Sequence, residues 1–293
     1  MPLPYARLLL VLTGIASIAI QPAHAAPDPA LTERAPATPI RASRIILVGD
    51  STTAVQGGWG PRFCADHVTS FGACLNLARG GRSTYNYRAE GSWALVESEL
   101  QAKGYDTTWV LIQFGHNDQP GKPGRSTDLQ REFPDNLRRY VREVRAAGAV
   151  PVLVTPLTRR QFANGTLIDD LQPWADAVRG VASELDVPLV DLHARSRALV
   201  QAMGPVVAMR LAQAPASREQ VAAALEGTTI DAAPSAAVAG STATQNALVE
   251  PMGQAKRAFD YTHLGAEGAA AFAVLVADEL ARAVPPMRPL LLP

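Results

Sequence analysis

The sequence predicts one three-layer α/β/α domain on a parallel five-stranded sheet. Three observations predict it. Five short apolar runs recur along the chain. Amphipathic stretches at helical spacing separate them. Residues able to do chemistry stand directly after the runs. Alternation of strand and helix gives a parallel sheet covered on both faces. Continuous Val/Ile/Leu runs suit strands buried on both sides.

The runs are Ile45 to Val48 (ending at Gly49), Ala73 to Leu77, Trp109 to Phe114 (ending at Gly115), Val150 to Thr155 and Val187 to Leu192. Between the third and fourth, Leu137, Tyr140, Val141 and Val144 form a helical face, and Gly148 is its stop. Trp174, Ala177, Val178, Val181 and Leu185 form another. A last helix over Ala266 to Val284 presents Phe272, Leu275, Val276 and Leu280. Residues 195–255 break the alternation as a helical and loop insertion. Within it, Ser217 to Gln220 fits a capping box ahead of Val221 to Leu225, and 227–250 is a surface loop poor in charge.

The ends of the chain are read separately. Arg7, the uncharged run Leu8 to Ile20 and Ala23-His24-Ala25 form a secretory signal peptide over 1–25. Thirteen apolar residues fall short of the roughly 20 that span a bilayer. Residues 26–42 are a Pro-rich linker, 43–285 the domain and 286–293 a tail. The expected location is therefore outside the cytoplasm, secreted or periplasmic, with no membrane association after cleavage. Twenty-seven basic and 27 acidic residues, with 47% hydrophobic, exclude a disordered chain. The balance leaves no basic excess for a nucleic-acid partner. A monomer is expected. Cys64 and Cys74, the only two cysteines, close a disulfide if exported; the alternative is two buried thiols. No close Cys/His spacing accompanies them, so no metal is expected.

Ligands of such sheets bind at the carboxyl ends of the strands, and four strand-end or helix-start sites carry chemistry. After the first strand stands Gly49-Asp50-Ser51. A serine on a sharp turn entering a helix is placed like a nucleophile whose own N–H can hold an oxyanion; for this tripeptide alone an N-cap is the favoured reading. Arg79-Gly80-Gly81-Arg82-Ser83 follows the second strand, where glycines permit close backbone approach or simply a turn. Gly115-His116-Asn117-Asp118-Gln119 follows the third, where Asn117 can aim an amide at the same site or close an Asx-turn. Ahead of the last helix, Asp260-Tyr261-Thr262-His263 supplies a base and its orienting carboxylate.

In this order the blocks resemble the SGNH (GDSL-like) hydrolases. GDSTTA at 49–54, GGWG at 57–60, GGRS at 80–83, GHNDQ at 115–119 and DYTHLGAEGA at 260–269 are most similar to the rhamnogalacturonan acetylesterase branch. The likeness covers roughly 44–283 and weakens across 195–255. It implies Ser51 as nucleophile, His263 as base and Asp260 as its orienter. It implies an oxyanion hole from the N–H groups of Ser51 and Gly81 and the side chain of Asn117, a flavodoxin-like sheet, and no cofactor. Candidate substrate contacts are Trp59, which stacks on a sugar or packs, Arg82, which meets an acidic sugar, stays solvated or anchors backbone, the structural role being favoured, and His116, for which a structural hydrogen bond is favoured. His67 and His193 are expected to satisfy local structure, and Asp50 and Asp118 to fix turns.

The expected function is a secreted serine esterase that deacetylates plant cell-wall polysaccharide, rhamnogalacturonan by resemblance. The alternatives are a lipase-like esterase or thioesterase of the same family and, from another class, a silent glycan-binding module.

Overall fold

A computed structural model describes residues 40–230 and 258–292. The expected signal peptide at 1–25, nearly all of the expected linker and residues 231–250 of the predicted loop lie outside the described residues.

The sheet holds β1 (Ser43–Gly49), β2 (Gly72–Asn76), β3 (Thr108–Gln113), β4 (Val150–Val154) and β7 (Leu189–Val190), in the order β2-β1-β3-β4-β7. Every pairing is parallel. Register sets Leu47 beside Asn76 and Leu111, and Gly49 beside Gln113. The five predicted runs are these five strands, with shifted ends. The last shrinks to two residues, because Pro188 precedes it and the Asp191 side chain accepts the Ala194 N–H to start the next helix.

Period-two alternation divides each strand between two cores. Ile45, Leu47, Trp109, Leu111, Val152 and Val154 face one layer. It consists of α1 (Gly60–Asp66), α6 (Leu192–Ala208) and α8 (Ala266–Ala283). Ile46, Val48, Val110, Ile112 and Leu153 face the other. That layer holds α3 (Ser92–Leu100), α4 (Glu132–Ala146) and α5 (Gln172–Glu184). This two-sided burial is why the strands read as unbroken apolar runs. Helix α4 buries Phe133, Leu137, Tyr140, Val141 and Val144, and Gly148 follows at φ +76°. Its first turn carries Glu132 and Asp135 and its last Arg145, which suits the helix dipole.

Three segments were not legible beforehand: the short helix α2 (Asn86–Ala89), helix α3, and an antiparallel hairpin of β5 (Phe162–Ala163) and β6 (Thr166–Leu167). The capping box at Ser217 and Gln220 heads α7 (Arg218–Leu225). The stretch expected as a tail packs back: Met287 is buried among the α8 side chains, and Val68 bridges Leu291. Cys64 of α1 and Cys74 of β2 are joined by a disulfide, with 5.5 Å between their Cα atoms. Among the described residues no helix is long and apolar enough to cross a membrane.

Candidate active site

The strand order reverses direction at β1 and β3. One chain path runs outward from β1 to the edge, and the other returns to β3 on its opposite side. Their carboxyl ends therefore flank the crevice of a doubly wound sheet. Ser51 stands at this point.

The turn carrying Ser51 is built from backbone outward. Asp50 is buried, and its Oδ1 accepts the Thr52 N–H at 2.8 Å and the Thr52 hydroxyl at 2.7 Å. The Asp50 carbonyl accepts the N–H groups of Thr53 and Ala54. The chain then turns irregularly until α1 begins at Gly60. This corrects the expected helix directly after the serine. Ser51 rests on one isolated turn, so no helix dipole reaches its amide. Gly49 is required by closeness: a Cβ there would lie 2.6 Å from the Gln113 carbonyl oxygen.

Gln113 holds the turn from below. Its Oε1 accepts the Thr53 hydroxyl and the Trp59 indole N–H, the latter at 2.9 Å, and its amide donates to the Thr155 carbonyl at 3.2 Å. The sequence did not single Gln113 out. The signal was there: an amide inside the apolar run Trp109 to Phe114 needs internal partners. This network chooses between the two readings of Trp59. The indole is wholly buried, bonded to Gln113 and edge-on to Phe63 at 5.7 Å between centroids. It packs; it does not face a sugar.

The second half of the site arrives from 260–264. Asp260 Oδ1 accepts the backbone N–H groups of Thr262 at 2.7 Å and His263 at 2.6 Å. Its Oδ2 lies 2.7 Å from His263 Nδ1. His263 Nε2 lies 2.8 Å from Ser51 Oγ. A proton on Nδ1, donated to the carboxylate, leaves Nε2 free to accept the serine hydroxyl. Burial pushes the Asp260 carboxyl upward, but the hydrogen bond and charge of His263, with two backbone N–H groups, hold it below its usual range. The loop docks through the Leu264 N–H on the Gly57 carbonyl at 2.8 Å. Gly57 adopts φ +87°, and a Cβ on it would stand 3.2 Å from the imidazole.

The two remaining blocks are cross-braced. Asp118 Oδ1 accepts the Thr84 N–H, the Thr84 hydroxyl and the Thr127 hydroxyl, at 3.0, 2.6 and 3.0 Å. It thereby ties the loop after β2 to the loop after β3. Burial drives the Asp118 carboxyl up to about 7 against those hydrogen bonds. Gly81 is at φ +75°, and a Cβ on Gly80 would meet the Ser51 Cβ at 3.6 Å. Asn117 donates one amide hydrogen to the Arg82 carbonyl at 3.1 Å; among the described residues its second hydrogen meets no acceptor. Arg82 bonds the Gly80 carbonyl and Glu90, each at 2.7 Å. It anchors the glycine turn, the favoured of its readings. His116 is 2% exposed, with Nδ1 3.5 Å from Asp50 Oδ2. Burial pushes its basicity down despite Asp50. A buried ring beneath the turn is placed as the favoured structural reading expects, rather than as a substrate contact. His67 meets the Leu292 carbonyl and His193 meets Asp169.

An acid, an imidazole and a serine in a chain of hydrogen bonds at the crevice of a flavodoxin-like sheet is the arrangement of acyl transfer. The family model described as the GDSL-like Lipase/Acylhydrolase family matches residues 47–271, and so takes in every part of this site. The chain belongs to that family. Among the relatives of this GDSL-like hydrolase are two rhamnogalacturonan acetylesterases, one of them named as probable, of Bacillus subtilis (strain 168). It is 37% identical over 177 residues to the rhamnogalacturonan acetylesterase RhgT, covering 57% of this chain and 72% of that protein. It is 32% identical over 170 residues to the probable rhamnogalacturonan acetylesterase YesY, covering 56% and 76%. These relatives are carboxylic ester hydrolases of the GDSL-like family, and this chain is one. Among solved structures, YxiM of Bacillus subtilis superposes with a TM-score of 0.57 at 22% identity, over 83% of this chain and 57% of that one. The acetyl xylan esterase AlAXEase does so at 0.50 and 16%, over 82% and 99%. These likenesses establish the fold. The GDSL-like hydrolase thus spans little more than half of the YxiM chain.

Proposed function

We propose that this GDSL-like hydrolase is an exported serine acetylesterase acting on acetylated rhamnogalacturonan. The observation that carries the chemistry is the unbroken relay from Asp260 through His263 to the Ser51 hydroxyl, at 2.7 and 2.8 Å. The substrate class is supported by the similarity to RhgT and YesY.

The steps follow from the geometry. His263 Nε2 takes the Ser51 proton as Oγ bonds to the acetyl carbonyl carbon. The carbonyl oxygen becomes an oxyanion, received by the N–H groups of Ser51 and Gly81 and the free amide hydrogen of Asn117. Collapse breaks the bond to the sugar oxygen, which leaves with the proton from His263. Water, deprotonated by the same imidazole, then attacks the acetyl-serine; the bond to Ser51 Oγ breaks, Oγ takes the proton back from His263, and acetate leaves. Asp260 keeps the imidazole in the required tautomer and stabilises its charged form.

Acetate release from acetylated rhamnogalacturonan, acetylated xylan and an aryl acetate, with an aryl octanoate alongside, tests the assignment. Fastest turnover on rhamnogalacturonan, lost in Ser51→Ala, is expected. Preference for octanoate would indicate a lipase-like esterase. Pectin binding without any acetate release would indicate a glycan-binding module.

A further inference from the structure

Four consecutive carbonyls, from Asp260 to His263, all accept hydrogen bonds from one residue. The Arg160 guanidinium donates through Nη2 to the Asp260 carbonyl at 2.9 Å and the His263 carbonyl at 2.7 Å. Nη1 donates to the Thr262 carbonyl at 3.1 Å. The Arg160 backbone N–H donates to the Tyr261 carbonyl at 2.8 Å. The segment that presents His263 belongs to no helix or strand, since α8 begins only at Ala266. Its carbonyls therefore have no ladder of their own.

Arg160 is 1% exposed. Among the described residues it forms no ion pair with a carboxylate within 4.0 Å, and the charge that partly offsets its burial is that of Asp260. Burial pulls its guanidinium down to about 10. A buried cation held only by carbonyls is an expensive structural choice. A planar fork spans three acceptors at once, which an ammonium on a single stem cannot do. Arg159 adds a side contact, donating from Nε to the Thr262 hydroxyl at 3.2 Å.

We propose that Arg160 is a positioning residue for the base: its fork fixes the backbone of Asp260 to His263 and so sets the distance from the imidazole to Ser51. The proposal rests on His263 being the base. It touches neither substrate nor the reacting atoms. Loss of the fork lets the loop drift, and a misplacement of about 1 Å costs on the order of 10²-fold in rate.

The test compares Arg160→Lys and Arg160→Ala with the unaltered protein on an aryl acetate. Arg160→Lys is expected to lower kcat by about 10- to 100-fold, with KM unchanged and melting cooperative. Added guanidinium chloride at sub-denaturing concentration is expected to restore part of the kcat lost in Arg160→Ala, while sodium chloride at equal ionic strength does not. Unchanged kcat in Arg160→Lys, a loss confined to KM, or lowered melting with normal kcat would overturn the proposal. So would failure of Arg160→Lys to fold, which would place Arg160 in the folding core alone. His263→Ala runs in parallel: if it stays active, the base assignment itself fails, whatever the Arg160 variants do.

Discussion

His263 Nε2 stands 2.8 Å from Ser51 Oγ across a sequence separation of 212 residues. The contact is made by two loops that never join directly. One is braced by Asp50 and Gln113, the other by Asp260 and Arg160. Its weak point is the tautomer of His263, which the Asp260 carboxylate sets. In Asp260→Asn the side-chain amide cannot accept the Nδ1 proton in the same orientation while also serving the Thr262 and His263 N–H groups. Hydrolysis of an aryl acetate is expected to fall by about 10⁴-fold in kcat, with circular dichroism unchanged. Near-normal kcat would remove Asp260 from the relay.

Asn117 is expected to act on the transition state alone. One amide hydrogen is spent on the Arg82 carbonyl, which orients the other. Asn117→Ala is expected to lower kcat by about 10²–10³-fold with little change in KM. A loss seen only in KM would speak for ground-state binding.

Asp118 predicts an unusual pH dependence of stability. Burial raises its folded-state carboxyl from 3.8 to about 7. Between those values the folded state holds a proton that the unfolded chain has released. Stability from this group therefore falls as pH rises from about 4 to 7, and the penalty is complete above that window. Asp118→Asn keeps an acceptor for Thr84 and Thr127 and carries no charge. Its melting temperature, relative to the unaltered protein, is expected to rise between pH 4 and pH 8. A constant difference across that range would contradict the assignment.

The Cys64–Cys74 bridge ties α1 to the edge strand β2. Replacing both cysteines by alanine is expected to cost about 2–4 kcal/mol in urea unfolding. The kcat per folded molecule should not change, because Asp50 and Gln113 hold the Ser51 turn. A loss of kcat without loss of stability would show that the bridge shapes the site.

Much of this molecule is written locally. Apolar runs covered on both faces, glycines at strand ends and helical periodicity are properties of neighbouring residues, so the five strands, α4, α5 and α8 could be read from order alone. The candidate residues Ser51, Asn117, Asp260 and His263 were legible because each stands where a strand ends or a helix begins. Whether Trp59 stacks on a sugar or packs stayed open in the sequence, which shows the residues that neighbour a site but not the way they point. Trp59 is drawn inward by Phe63 and by the carbonyl of Gln113.

Tertiary structure alone decided the rest. The turn after Ser51 is not helical, because Gly58 and Gly60 let the chain fold back against Thr52 and Thr53. The four carbonyls of the base loop find their donor in Arg160, 100 positions or more away in the chain. No periodicity announces such a pairing: an unladdered backbone must satisfy its polar groups with whatever side chain the fold delivers, and only the folded chain determines which one arrives.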